Sequence, residues 1–259
     1  MNEECSMSAK VWLVGAGPGD PELLTLKAVR ALHEANVVLI DDLVNTAVLE
    51  HCPQARVIAV GKRGGCRSTP QEFIHRLMLR YVRQGKCVVR LKGGDPCIFG
   101  RGGEEAQWLQ ERGVAVELVN GITAGLAGAT QCGISLTLRG ISRGVTLVTA
   151  HTQDDSSLNW QALAQGGTTL VVYMGVAKLA EIRESLLAGG MIGDMPVAMI
   201  ENASLPWQRE CRSTLNAMQR DAAAFELKSP AILVIGAVAA FSNELLNQTL
   251  VEQAQLQAS

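Results

Sequence analysis

The chain has 259 residues, of which 47% are hydrophobic but only 4% aromatic, and its formal net charge is -2. This length suffices for one large α/β domain or two ordinary ones, and many aliphatic but few aromatic residues are typical of parallel sheets covered by helices. The near-neutral charge argues against a nucleic-acid-binding protein, and the absence of an apolar run of ~20 residues argues against a membrane protein.

The cysteines and histidines indicate neither disulfides nor a metal site. The seven cysteines include no Cys-x-x-Cys pair, and His33, His51 and His75 lack the spacing of metal ligands. Residues 1–10 are polar and acidic, unlike a signal peptide. The sequence therefore predicts a soluble, cytoplasmic protein with reduced thiols and no bound metal.

The chain begins with a predicted strand, a glycine-rich turn and a helix. Residues 11–14 form the strand, and Asp20 is the expected N-cap of a helix over residues 23–35. A second strand, residues 36–40, ends before Asp41. The glycines of residues 15–19 and the acid at Asp41 are parts of the dinucleotide-binding fingerprint Gly-x-Gly-x-x-Gly. However, Asp20 stands at the position of the last glycine of this fingerprint. Because a carboxylate at a helix N-terminus repels pyrophosphate, a phosphate-free ligand with positive charge suits this turn better.

Two further strands lead into loops rich in glycine and charge. A third strand, residues 56–60, precedes the most basic loop, with Lys62 and Arg63 directly at its end. A fourth strand, residues 87–89, precedes residues 91–105, which hold five glycines. A plain strand-to-helix connection needs only a few residues, so this loop is expected to press its backbone against a ligand. Its charged side chains supply donors and acceptors of both signs: Lys92, Asp95, Arg101, Glu104 and Glu105.

With a fifth strand at residues 114–119, these segments predict one parallel sheet with polar loops crowded at its carboxyl edge, the usual ligand edge of such sheets. The next segment, residues 122–129, consists of small residues, which fit either a tight helix crossing or the close approach of a flat ligand. We place the domain boundary here. The predicted domains are residues 10–121 and 122–241, with flexible tails at residues 1–9 and 242–259.

The second half repeats the strand and helix alternation less regularly. Strands are predicted at residues 144–149, 168–174, 196–200 and 231–235, with a helix over residues 178–188. Three of these strands end at residues capable of chemistry or ligand contact: His151, Met174 with Gly175, and Glu201 with Asn202.

Taken in order, these motifs resemble the tetrapyrrole methylase family over about residues 10 to 240. The segments that carry the resemblance are Val14-Gly-Ala-Gly-Pro-Gly-Asp-Pro21, Asp41-Asp-Leu-Val44, Val60-Gly-Lys-Arg63, Val89-Arg-Leu-Lys-Gly-Gly-Asp-Pro96, Gly100-Arg-Gly-Gly-Glu-Glu105, Gly121-Ile-Thr-Ala124, Tyr173-Met-Gly175 and Glu201-Asn202. So many long motifs in register are far more specific than a lone glycine fingerprint.

The resemblance implies two α/β domains, with S-adenosylmethionine (SAM) bound in a cleft between them, in a homodimer. It implies transfer of two methyl groups in succession to rings A and B of uroporphyrinogen III. The product would be precorrin-2, formed through precorrin-1, for sirohaem, cobalamin or haem d1 biosynthesis, with S-adenosylhomocysteine (SAH) as the by-product. The charge and the apolar runs of the sequence predict no nucleic-acid or membrane partner.

The resemblance also assigns site residues. The family's proton acceptor and donor fall on Asp41 and Lys62, and Arg101 is a third candidate for handling the proton. Residues facing the tetrapyrrole fall on Arg101, Glu104 and Arg139, and Arg63 is a further candidate because arginine forks bind carboxylates well. The SAM contacts fall on Pro18, Gly93, Gly94, Asp95, Ile98, Thr123, Ala124, Met174, Ala203 and Ala231.

The sequence departs from the family pattern at three positions. Asn120 stands where proline is frequent, Ala203 where glycine is common, and Asp42 where some relatives have arginine. Three alternative functions remain open: a methylase of a later corrinoid intermediate, a dinucleotide oxidoreductase whose Asp41 and Asp42 hold a ribose, and a non-catalytic SAM sensor.

Overall fold

The protein is described by a computed structural model over residues 9–61, 69–151 and 158–241. The chain divides into two compact units between Thr123 and Ala124. The sequence-based boundary between residues 121 and 122 stays a prediction, and most of the two predicted tails lies outside the described residues.

The first unit contains a five-stranded sheet in which every strand pairs in parallel. Its strands are β1 (Val11–Gly15), β2 (Val37–Ile40), β3 (Arg56–Ala59), β4 (Val88–Lys92) and β5 (Val116–Val119), in the order β3-β2-β4-β1-β5. This confirms the predicted parallel sheet. Because all strands run in one direction, the loops that follow them meet at one edge.

Helices cover both faces of this sheet. They are α1 (Leu26–Glu34), α2 (Gln71–Arg83) and α3 (Gly102–Gln110), together with short 3-10 helices at Pro21–Leu23 and Thr46–His51. Alternate residues of β1 serve opposite faces: Trp12 and Val14 pack with α1, whereas Val11 and Leu13 pack with α2 and α3. Burial on both faces explains why β1 and β2 are continuously apolar, whereas the edge strand β3 is largely exposed.

The predicted start of the first helix is wrong. The Oδ1 atom of Asp20 accepts the N–H of Glu22 at 2.9 Å, but it caps only the three-residue 3-10 helix. The α-helix begins at Leu26, where the Oγ1 atom of Thr25 accepts the N–H of Ala28 at 3.1 Å. Two good capping residues five positions apart compete here, and the second one starts the regular helix.

The second unit contains a mixed five-stranded sheet. Its strands are β6 (Val145–Thr149), β7 (Thr169–Tyr173), β8 (Pro196–Glu201), β9 (Arg209–Thr214) and β10 (Ala231–Ile235), in the order β6-β7-β10-β8-β9. β6 and β7 pair in parallel, whereas β10 runs antiparallel to both β7 and β8. The carboxyl ends of β7 and β8 and the amino end of β10 therefore lie at the same edge.

The helices of this unit are α4 (Ala124–Gln131), α5 (Trp160–Gln165), α6 (Leu179–Ala188) and α7 (Met218–Ala224), with 3-10 helices at Val176–Lys178 and Ala237–Ala240. Strand β9 and helices α5 and α7 were not predicted from the sequence. Within the described part of the chain, no helix is long and apolar enough to cross a membrane.

The small residues of α4 pack against the sheet of their own unit. A Cβ atom added to Gly125 would lie 2.5 Å from Cγ1 of Val171, and one added to Gly128 would lie 3.1 Å from Cβ of Ala203. These glycines therefore allow α4 to pack closely on β7 and on the end of β8. This is packing of a helix on a sheet, whereas the sequence had left open a helix crossing or the approach of a flat ligand.

Candidate functional site

Three glycine loops meet backbone to backbone at the carboxyl edge of the first sheet. The amides and carbonyls of Gly17 and Gly94 exchange hydrogen bonds of 3.2 and 2.6 Å. A Cβ atom on Gly15 would lie 2.5 Å from the amide nitrogen of Gly121 and 2.6 Å from the carbonyl oxygen of Gly94. These glycines therefore allow the ends of β1, β4 and β5 to pack together, a requirement that exists without any ligand.

Asp95 braces the same loops. Its Oδ1 atom accepts the N–H of Cys97 at 2.7 Å, and its Oδ2 atom accepts the N–H of Gly121 at 3.0 Å. The amide side chain of Asn120 donates to Oδ2 at 3.4 Å. The buried carboxylate of Asp95 thus ties the loop after β4 to the end of β5, so any contribution to cofactor binding acts through the shape of this loop.

The segment between Asp95 and α3 contains two residues with a left-handed backbone. Phe99 has φ of 53° and Arg101 has φ of 59°, and both side chains are exposed. A Cβ atom on Gly100 would lie 2.7 Å from the carbonyl oxygen of Pro96, so the turn is closely wound. Strained backbone of this kind concentrates at ligand sites and active sites.

Arg101 and Glu104, two predicted substrate-binding residues, contact each other. The Nη2 atom of Arg101 lies 2.6 Å from Oε2 of Glu104, and its Nε atom lies 3.1 Å from each carboxylate oxygen. These hydrogen bonds lower the pKa of Glu104 below its ordinary value and raise that of Arg101. The pair is exposed, so it presents both charges to solutes at the amino-terminal end of α3.

Asp41, at the end of β2, joins a buried cluster of charges. Its Oδ1 atom lies 2.6 Å from Nη2 of Arg90, and its Oδ2 atom lies 3.8 Å from Nζ of Lys92. Glu105 lies 3.4 Å from Arg90 and 3.2 Å from Lys92. We call Asp41, Arg90, Lys92 and Glu105 the Asp41 cluster.

The placement of Lys92 and Glu105 corrects the prediction that they serve as loop donors and acceptors. Lys92 is the last residue of β4, and Glu105 lies on the buried face of α3 with none of its side chain exposed. Burial, followed by the neighbouring charge of Arg90, lowers the pKa of Lys92 below its ordinary value. Sequence reasoning missed Arg90, although a charged residue between Val89 and Leu91 in an apolar strand is the signal that points to it.

Two predicted residues, Lys62 and Arg63, lie outside the described residues. Their roles stay predictions. Pro18 and Ile98 are half-buried in the loops after β1 and β4, and Thr123 is buried at the end of the first unit.

In the second unit, the structure brings three predicted cofactor residues to one sheet edge. Met174 directly follows β7, Ala203 lies just beyond β8, and Ala231 begins β10, where it pairs with Glu201. Met174 has φ of 54° and is 49% exposed, whereas both alanines are buried. An exposed methionine in a strained conformation beside small residues can contact a flat apolar group.

Tyr173 connects this edge to α4. Its hydroxyl oxygen accepts the N–H of Gly125 at 3.0 Å, which fixes the first turn of the helix next to Ala124. Ala124, another predicted cofactor residue, therefore lies close to the end of β7.

Arg139 lies elsewhere in the second unit. It is exposed in a turn closed by pairing of Leu138 with Ser142, and the hydroxyl of Ser142 contacts Thr169 at the start of β7. The turn is thus anchored near the amino end of β7, opposite the end that leads to Met174. His151 is exposed, and its backbone N–H donates to Oγ1 of Thr149 at 3.2 Å.

Glu201, at the end of β8, has a structural role. Its Oε2 atom lies 2.7 Å from Nη2 of Arg209 and accepts the N–H of Lys228 at 3.0 Å. Burial by itself raises the pKa of Glu201, but these donors outweigh it and the pKa is lowered. No group of three potential metal-binding side chains occurs among the residues that the structure describes.

Comparison with known proteins places these features in a family. Residues 10–219 match the family model for tetrapyrrole (corrin/porphyrin) methylases. The chain is 79% identical over 233 residues to the uroporphyrinogen-III C-methyltransferase of Pseudomonas fluorescens, an alignment that covers 90% of this chain and 94% of that protein.

Two solved structures are similar to the whole fold. One is the uroporphyrin-III C-methyl transferase of Thermus thermophilus complexed with S-adenyl homocysteine, with 43% identity, a TM-score of 0.77 and coverage of 89% of this chain and 99% of that one. The other is a cobalamin biosynthetic enzyme, cobalt precorrin-4 methyltransferase, with 27% identity, a TM-score of 0.81 and coverage of 90% and 97%.

Proposed function

The chain belongs to the tetrapyrrole methylase family, and we propose that it is a SAM-dependent C-methyltransferase acting on uroporphyrinogen III. The observation that carries this proposal is the 79% identity to a uroporphyrinogen-III C-methyltransferase over nearly the full length of both proteins. We further propose that two methyl groups are added in succession, to rings A and B, giving precorrin-2 through precorrin-1. The homodimer and the cytoplasmic location stay predictions.

The residues present in each unit fit SAM. In the first unit, Gly93 and Gly94 are half-buried in the loop that Asp95 holds in place. In the second unit, Met174 is exposed at the same sheet edge as the buried Ala203 and Ala231. We propose that these residues, with Pro18, Ile98, Thr123 and Ala124, bind the cofactor. A sulfonium carries positive charge and no phosphate, so the capping carboxylate of Asp20 does not oppose it.

Bound SAM supplies an electrophilic methyl group, and since methylation of a neutral pyrrole carbon leaves the macrocycle with one extra positive charge, a proton must then leave it. We propose that Asp41 accepts this proton. Its side chain is 28% exposed, and the Arg90 guanidinium holds one carboxylate oxygen while the other remains 3.8 Å from Lys92. A carboxylate held beside the macrocycle can act as a general base.

Arg101 is proposed to bind a carboxylate of the substrate. Its guanidinium is accessible, and its partner Glu104 is itself exposed. Exposed ion pairs contribute little net stability, so Arg101 can exchange Glu104 for a substrate carboxylate at small cost. Since in-line methyl transfer depends on orientation, binding of the peripheral carboxylates should contribute strongly to the rate.

The test is to incubate the purified protein with SAM and uroporphyrinogen III and to follow the tetrapyrrole by mass spectrometry. We expect a gain of two methyl groups and formation of SAH. Arg101→Ala should lower kcat/KM by about 100-fold, as expected for loss of charge-assisted contacts. Arg76→Ala, at an exposed pair on α2, should leave it unchanged. No gain in mass would refute the proposal.

The same assay separates the alternatives. The second candidate function is methylation of a later corrinoid, because the structure of the cobalt precorrin-4 methyltransferase matches this chain with a TM-score of 0.81. Methylation of a later corrinoid substrate, and not of uroporphyrinogen III, would favour this candidate. Binding of SAM without turnover of any tetrapyrrole would favour a sensor.

A further inference from the structure

The Asp41 cluster carries two cations and two anions, and three of its four members are almost fully buried. The side chains of Arg90 and Glu105 are 2% and 0% exposed, and that of Lys92 is 6% exposed. Asp41 is the only one of the four with a substantial accessible fraction. Asp41 is therefore the member of the cluster that can contact a bound molecule directly.

The guanidinium of Arg90 is held from several directions. Nη2 donates to Oδ1 of Asp41 at 2.6 Å, and Nε donates to Oε1 of Glu105 at 3.4 Å. Nη1 donates to the carbonyl oxygens of Leu39 and Leu91, at 3.3 and 3.4 Å. Because all three nitrogens have partners on β2, β4 and α3, the group has one orientation, and this orientation fixes Oδ1 of Asp41.

Glu105 completes this support from the other side. Its Oε1 atom accepts from Nε2 of Gln71 at 2.6 Å and from Nζ of Lys92 at 3.3 Å, in addition to Arg90. Gln71 in turn contacts the ring of His75 at 3.2 Å. The chain of contacts thus runs from α2 through Glu105 and Arg90 to the one accessible carboxylate.

Stability alone does not account for such a cluster. Removing charges from water is costly, and replacing a buried ion pair by well-packed apolar residues is often neutral or stabilising. An arrangement that ends on an accessible carboxylate is better explained by the need to hold that carboxylate in one position.

We propose that Arg90 is a positioning residue for methyl transfer: it fixes Oδ1 of Asp41 and thereby aims Oδ2 at the proton that leaves the macrocycle, with Glu105 orienting Arg90. The inference rests on the proposed function. In the step concerned, the C–H bond of the methylated macrocycle breaks, its electron pair stays with the ring system, and the proton forms an O–H bond with Oδ2 of Asp41. No other reactant is needed.

The experiment is a double-mutant cycle between Arg90→Lys and Asp41→Asn. Lysine keeps the charge of Arg90 but lacks the planar fork, so Asp41 loses its fixed orientation. We expect Arg90→Lys to lower kcat by about 10- to 100-fold while KM for the tetrapyrrole and the Kd for SAH change less than about 3-fold. In the Asp41→Asn background, Arg90→Lys should lower kcat by less than about 3-fold further, because its effect passes through Asp41.

Controls separate positioning from folding. Arg76→Lys, in the exposed pair with Glu72, should leave kcat and KM unchanged. If circular dichroism shows that Arg90→Lys is unfolded, Glu105→Gln takes its place, with a smaller fall in kcat in the same direction and the same non-additivity with Asp41→Asn.

The outcomes distinguish this inference from the function on which it rests. An active wild-type enzyme whose kcat is unaffected by the folded Arg90→Lys variant would overturn the inference alone. Effects of the two substitutions that multiply would also overturn it, because Arg90 would then act independently of Asp41. A wild-type protein that methylates no tetrapyrrole would overturn both.

Discussion

Gly15→Ala tests the conclusion that the glycine loops of the first unit require each other's backbone. The added Cβ atom would lie 2.5 and 2.6 Å from the N and Cα atoms of Gly121 and 2.6 Å from the carbonyl oxygen of Gly94. Ordinary contacts of this kind are longer by nearly 1 Å, and all three atoms belong to backbone, which cannot rotate away. Overpacking at such a site costs about 1–3 kcal/mol. A loss of about 2 kcal/mol corresponds to a fall in Tm of about 6–10 °C for a unit of this size.

Thermal unfolding followed by circular dichroism measures this loss, and hydrogen exchange of peptides from β1, β4 and β5 locates it. The same shift should weaken SAH binding, measured by isothermal titration calorimetry, because the carbonyl of Gly94 also holds Gly17. Gly103→Ala is the matched control: it lies in α3 with no atom within 4 Å of the added Cβ, so stability should be unchanged or slightly higher. If the Gly15→Ala variant kept the stability and the SAH affinity of the wild type, the conclusion that these loops require glycine at position 15 would be refuted.

Three further substitutions test other contacts. Tyr173→Phe leaves the buried N–H of Gly125 without this acceptor and should lower the free energy of unfolding by about 1–3 kcal/mol in urea titrations; an unchanged midpoint would contradict the role of this hydrogen bond. Asp95→Asn places an amide NH₂ against one of two backbone N–H donors and should cost about 2 kcal/mol and weaken SAH binding, and unaltered affinity would show that the brace is dispensable. Burial lowers the pKa of His75, so its contribution to stability is full above about pH 6.5 and is lost as the pH falls below that value. His75→Gln should therefore flatten the decline in unfolding free energy as the pH falls below about 6.5. The exposed His33→Gln should leave this decline unchanged, and equal slopes in both variants would exclude His75 as its source.

The sheet of the first unit was predictable because its sequence signals agree with each other. Residues 11–14, 36–40 and 56–60 are short apolar runs, and glycine or acidic residues end each of them. The structure has β1, β2 and β3 within one residue of these bounds. Burial on two faces imposes this composition directly on β1 and β2, so the local pattern and the tertiary position agree. The edge strand β3 is largely exposed, and its prediction rested on the apolar pattern of residues 57–60 alone.

Strand β9 was not predictable for the opposite reason. Its sequence, Arg209–Thr214, contains no apolar run, and it lies at the edge of its sheet with only β8 as a partner. It is a strand because its backbone pairs with β8, and not because its side chains are buried. The antiparallel direction of β10 could not be predicted either, because an apolar run is compatible with both parallel and antiparallel pairing.

The candidate site was only partly accessible to sequence reasoning. Motifs located Asp41, Arg101 and Met174 at strand or loop ends, and the structure places them there, while their roles stay predictions. The burial of Lys92 and Glu105 could not be read from a glycine-rich segment, because it depends on α3 covering the end of β4.

The position of β10 has a consequence for synthesis of the protein. This strand, the last one in the described chain, lies between β7 and β8, which are made earlier. During translation, the edges of β7 and β8 that pair with β10 stay unpaired until residues 231–235 have been synthesised. The five strands of the first unit are by then all available, so the amino-terminal half of the molecule can mature while the other half still depends on its final strand.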